Sequence, residues 1–90
     1  MNTFLISFTL NNSERDYNTI RDSIMTYAKW ARVSPHTWLI KTDDKMTDIR
    51  TRLASSINNE GHILVVKVTN SDWATYAIGK DVTGWMRENM

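Results

Sequence analysis

Cysteine is absent from this 90-residue sequence. Its absence excludes a disulfide framework, a thiolate zinc site and a cysteine nucleophile together, and it fits a reducing compartment. Glycine is scarce. Gly61, Gly79 and Gly84 are too scattered to build a GxGxxG or GxxxxGK phosphate loop or a GxSxG nucleophile elbow. The two histidines, His36 and His62, belong to no H-x-H or HExxH pattern, which argues against zinc. No apolar run approaches the roughly 18–20 residues of a membrane-crossing helix. The apolar cluster at residues 4–10 is broken by Ser7 and Thr9 and has no basic stretch before it, so it reads as a strand rather than a leader. A large charge of one sign is also missing. The net charge is +1, whereas a non-specific nucleic-acid binder is usually far more basic, so any such contact must come from a local patch.

What remains describes one globular domain. Hydrophobic residues are 41% and charged residues 23%, and the chain length leaves room for a single core. A domain of this size buries only roughly 60–65% of the surface its unfolded chain exposes. The core is therefore thin, and pairing with a second copy would add burial.

Hydrophobic periodicity divides the chain. Phe4, Ile6, Phe8 and Leu10 alternate with Leu5, Ser7 and Thr9, which is a strand with one strongly apolar face. Asn11-Asn12-Ser13 is turn chemistry, with Ser13 placed to cap a helix. Tyr17, Ile20, Ile24, Tyr27, Ala28 and Ala31 follow helical spacing, which predicts a helix ending before Ser34-Pro35. Any strand near residues 32–35 is short. Thr37-Trp38-Leu39-Ile40-Lys41-Thr42 is β-prone. Asp43-Asp44 then lead into a helix whose apolar face is Met46, Ile49, Leu53 and Ile57. That helix ends at Asn58-Asn59-Glu60-Gly61, with Gly61 as the left-handed residue. Ile63-Leu64-Val65-Val66 is continuously apolar, so both faces of this strand are expected to be covered. Residues 73–78 read as a strand or an irregular arm, and 81–89 as a terminal helix carrying Val82, Trp85 and Met86. Strand–helix alternation twice over, in so short a chain, predicts a ferredoxin-like βαββαβ sandwich: α+β, two helices on one face of an antiparallel or mixed sheet, plus a C-terminal arm or short helix. Residues 1–69 form the expected core and 70–90 the tail. The buried set is expected to include Ile6, Ile20, Ile24, Leu39, Ile49, Leu53, Leu64 and Val66.

No self-sufficient catalytic motif is present. Asp43-Asp44 suit a divalent-metal pair, but also a turn and a helix N-terminus, where negative charge is favoured; the second reading is preferred. Arg15, Lys45, Arg50 and Arg52 are the candidates for phosphate contact. They stand among acids, as residues on a solvated helix face do. His36 sits in a polar hinge before a tryptophan and is the candidate general base. The four tryptophans exceed what a thin core hides. Tryptophan is enriched at interfaces, so Trp73 and Trp85 are assigned to one.

The first strand, the segment at residues 37–42 and the strand at 63–66 together resemble small ferredoxin-like proteins that include the CRISPR-associated adaptation endonuclease (the second Cas protein) and virulence-associated protein D. The likeness is nearest to compact bacterial and phage proteins termed SinR-like. In that group the first strand ends in an aromatic residue followed by an aspartate, and the aspartates of two subunits hold the catalytic metal. Here Phe8 is followed by Thr9. A neutral hydroxyl does not replace a carboxylate ligand for magnesium. The resemblance thus implies a cytoplasmic homodimer with a degenerate metal site at Thr9, no metal and no cofactor. Such a protein would bind a nucleic-acid or protein partner in a phage, defence or toxin–antitoxin setting. Two alternatives stand beside it: a ribonuclease-type toxin using His36 with Arg or Lys, and a pure protein-interaction module anchored by Trp73 and Trp85.

Overall fold

The computed structural model describes residues 1–11 and 14–90 of the chain. The Asn12-Ser13 turn and the Ser13 cap expected from the sequence lie outside the described residues. The elements follow in the order β1 (Asn2–Thr9), α1 (Glu14–Ile24), β2 (Lys29–Ser34), β3 (Thr37–Thr42), α2 (Met46–Ser56), β4 (His62–Lys67) and α3 (Lys80–Asn89). The four strands form one sheet in the order β2-β3-β1-β4, and every neighbouring pair is antiparallel. This is a small α+β architecture compatible with a ferredoxin-like fold.

The period-two pattern of β1 sends its side chains to two different cores. Phe4, Ile6 and Phe8 join Trp38 and Ile40 of β3 beneath Ile20 and Ile24 of α1 and Ile49, Leu53 and Ile57 of α2. On the opposite face, Leu39 and Ala31 meet Val82 and Met86 of α3, with Leu5, Val33 and Trp85 packed around them. Hence the tail supplies a third helix that builds a second, smaller core. Its end is latched to the sheet. The Thr3 hydroxyl donates to the Asn89 carbonyl, while the Thr3 amide holds the segment just after β4, donating to the Thr69 hydroxyl at 2.8 Å.

Several sequence expectations need correction. The first helix stops at Ile24 rather than near Ser34, because residues 29–34 are taken by β2. Tyr27 and Ala31 satisfy a helical spacing by coincidence: Tyr27 is buried from the turn after α1, and Ala31 is buried on the α3 face of the sheet. Leu64 and Val66 are not core residues. They are 57% and 39% exposed, because β4 is an edge strand and α3 lies over the other side of the sheet, against β2. The expectation that β4 is covered on both faces fails for the same reason. Met46 is likewise exposed: it is the first residue of α2 and borders an open groove beside the edge strand β4. Of the two readings of residues 73–78, a strand or an irregular arm, the structure has the irregular arm.

Candidate interaction surface

The uneven coverage of the sheet decides what is available for contact. The α1–α2 face is closed by the larger core. The other face is closed only where α3 lies. Beyond it, Leu64 and Val66 stand in the open on β4, with Ser7 and Leu5 as their neighbours on β1. The arm that follows β4 lies over Leu5, Val33 and Leu39 on this face. It borders an open apolar pocket of about 430 Å³ with Leu5, Val33, Leu39, Val68, Trp73, Met86 and Met90 among its walls. Tyr76 in the same arm is 94% exposed, and Ala77 holds a left-handed φ of 58°, a conformation that costs a non-glycine residue about 1 kcal/mol.

Trp73 and Trp85 do not form one patch. Trp73 borders the pocket under the arm and is 37% exposed. Trp85, half-buried, lines a separate hollow with Trp30, Arg32 and Val82. Trp30 and Trp38 pack against each other at 5.6 Å, and the Trp38 indole N–H is satisfied by the Pro35 carbonyl at 3.1 Å. Three of the four tryptophans thus line or fill the two cores.

Thr9 and His36 lie close along the chain ladder but on opposite faces. Thr9 is exposed at the end of β1, opposite His62 of β4, with its side chain on the face away from Phe8. The His36 ring is edge-on to Phe8 at 5.2 Å and to Tyr17 at 5.6 Å, on the α1–α2 side. The Tyr17 hydroxyl beside it is buried and makes no hydrogen bond. Among the described residues, no three His, Asp or Glu side chains converge as metal ligands would. Asp43 instead pairs with the N-terminal amine at 3.3 Å, and the Asp44 amide donates to the Thr42 hydroxyl at 3.2 Å.

The basic candidates are dispersed. Arg15 stands at the start of α1, which follows the end of β1. Lys45 precedes α2, which follows Thr42, the residue paired with Asn2 at the beginning of β1. The two therefore lie at opposite ends of the sheet. Arg50 lines a shallow groove with Met46, Thr47 and Ile63. Arg52 is committed elsewhere: its guanidinium sits 4.8 Å above the Tyr27 ring and donates to the Thr26 hydroxyl. Burial pushes the Tyr27 phenol above its usual range, Arg52 pulls it back, and the Asp44 carboxylate pushes it up again. The phenol oxygen has no partner in good hydrogen-bond geometry, although the Arg52 and Asp44 side chains lie close enough to act on its titration.

No family model matches the chain, and neither a curated protein nor a solved structure matches it. No helix among the described residues is long and apolar enough to cross a membrane. Sequence reasoning missed the exposed pair Leu64 and Val66. The only signal available was the pair of polar residues, His62 and Lys67, that bracket the apolar run.

Proposed function

We propose that this chain is a non-catalytic protein-interaction module of ferredoxin-like fold that works as a homodimer. The setting we assign is the phage, defence or toxin–antitoxin context implied by its resemblance to the second Cas protein group, with the metal position of that group lost at Thr9. The observation that carries the reading is the apolar surface left open beside α3, where Leu64 and Val66 are solvent-facing on an edge strand. Exposed aliphatic residues on an unpaired edge invite another chain. A protein partner is favoured over a nucleic acid because Arg15 and Lys45 lie at opposite ends of the sheet and Arg52 is engaged by Tyr27 and Thr26. Arg15, Lys45 and Arg52 therefore do not combine into one basic patch.

Light scattering across a micromolar concentration series tests the reading. The natural chain is expected to pass from monomer to dimer, and the Leu64→Ser/Val66→Ser variant to stay monomeric while keeping its circular dichroism spectrum. A natural chain that is monomeric throughout refutes the reading. So does magnesium-dependent cleavage of RNA or DNA that survives repurification and is abolished by chelator.

A further inference from the structure

We infer that the β4 edge pairs with the β4 edge of a second copy, antiparallel about a two-fold axis through Val65, to give one continuous sheet; this rests on the homodimer proposed above and specifies its interface. The two sheet edges are unlike each other. On β2, Lys29 and Arg32 are exposed, the register shifts between Arg32 and Ser34, and Pro35 follows. Charges, irregularity and proline are the features that guard an edge against pairing. On β4, the four residues Ile63-Leu64-Val65-Val66 carry none of them.

Backbone parity fixes which groups are free. The Val68 amide donates to the Thr3 carbonyl at 2.8 Å, and the ladder continues through Leu5↔Val66, Ser7↔Leu64 and Thr9↔His62. In an antiparallel ladder, alternate residues turn their N–H and C=O toward the same neighbour. The even-numbered residues of β4 therefore face β1, and Ile63, Val65 and Lys67 present their N–H and C=O groups at the open edge. Two-fold pairing must set outward-turned residues opposite each other. An axis at Val65 does so for all of them: Val65 meets its own mate, and Ile63 meets Lys67 in both directions. Each of these pairs exchanges both of its hydrogen bonds. An axis at Leu64 would pair Ile63 with Val65 but would bring Lys67 against Gly61, whose φ of 85° is not extended.

Side chains agree with the Val65 axis. It places Leu64 of one copy beside Val66 of the other, twice, as non-hydrogen-bonded pairs, whose side chains approach most closely. The two most exposed aliphatic residues of the sheet then cover each other. Arg50 lines the outer groove of β4, so both copies bring a guanidinium toward the axis; association should strengthen as salt screens them. A strand edge is a small interface, at the low end of specific complexes, and the dimer is expected to dissociate in the micromolar range.

Because the natural chain has no cysteine, disulfide trapping reads the register directly. Leu64→Cys and Val66→Cys proteins, made separately and mixed under mild oxidation, are expected to give the mixed disulfide dimer, since paired Cα atoms lie about 4.5 Å apart. Leu64→Cys alone is expected to cross-link at least tenfold more slowly, because its own mate lies on the diagonal at about 7–8 Å. Val65→Pro, which removes an N–H that β1 does not use, is expected to abolish association with the fold intact. If the natural chain dimerises but Leu64→Cys cross-links with itself as fast as the mixture, or Val65→Pro dimerises normally, this interface is wrong and the homodimer stands. A natural chain that never dimerises overturns both.

Discussion

Truncating two aliphatic residues that the sequence treats alike, Ile6 and Leu64, should have opposite consequences. Ile6 is fully buried on the central strand β1, between Trp38 of β3 and Val65 of β4. Ile6→Ala removes its methyl groups and leaves a cavity that packed neighbours cannot close, costing about 2–5 kcal/mol. For 90 residues the total stability is about 5–13 kcal/mol, so this one change removes a large part of it. Leu64 is 57% exposed. A leucine gains about 1.5–3 kcal/mol on full burial. At this exposure Leu64→Ala should cost under about 1 kcal/mol, with no cavity term. Urea titration followed by tryptophan fluorescence, with the buried Trp38 as reporter, measures both. It should be run at a concentration where the protein is monomeric, so that association does not add to the Leu64 value. Equal m-values for the two variants license the comparison. A Leu64→Ala cost as large as that of Ile6→Ala would show that β4 is covered on both faces and would refute the edge-strand account.

Three further outcomes follow from named contacts. Tyr27→Phe removes a buried hydroxyl that has no well-formed hydrogen bond and should change stability by no more than about 1 kcal/mol near neutral pH. Because the folded phenol titrates above its ordinary value of 10.0, its linkage leaves stability intact below pH 10 and lowers it as pH rises through the folded value; thermal melts from pH 9 to 11.5 should show that fall in the natural chain and a smaller one in Tyr27→Phe. Gly61→Ala must hold a positive φ and place a Cβ within 2.4 Å of the Thr9 carbonyl, so it should lower the melting temperature by roughly 4–8 °C per kcal/mol lost, for a loss above about 1 kcal/mol. Thr9→Asp should show no magnesium-dependent rise in melting temperature if β4 pairs as inferred, since the two carboxylates are then three strand spacings apart across the sheet and six residues apart along it, about 25 Å in all; a clear rise would bring the ends of the two β1 strands together and exclude that pairing.

The sequence by itself determined the local elements whose periodicity has one interpretation. β1, β3 and α2 follow from alternation at Phe4, Ile6 and Phe8, from the β-prone run 37–42, and from the spacing of Ile49, Leu53 and Ile57, and the structure places them there. Gly61 was legible as a left-handed residue because only glycine adopts that conformation at little cost. Residues 27 and 31 fit a helix as well as a turn and a strand, so the end of α1 was not legible. Which face of each element is covered was decided only in three dimensions. Ile63-Leu64-Val65-Val66 reads the same in a central strand as at an edge, since a chain's own pattern records its apolarity and not its neighbours. Sheet order made β4 an edge, and the position of α3 over β2 and β3 left Leu64 and Val66 in solvent. The candidate surface exists for that reason: burial depends on contacts between residues distant in sequence, and no single segment encodes them.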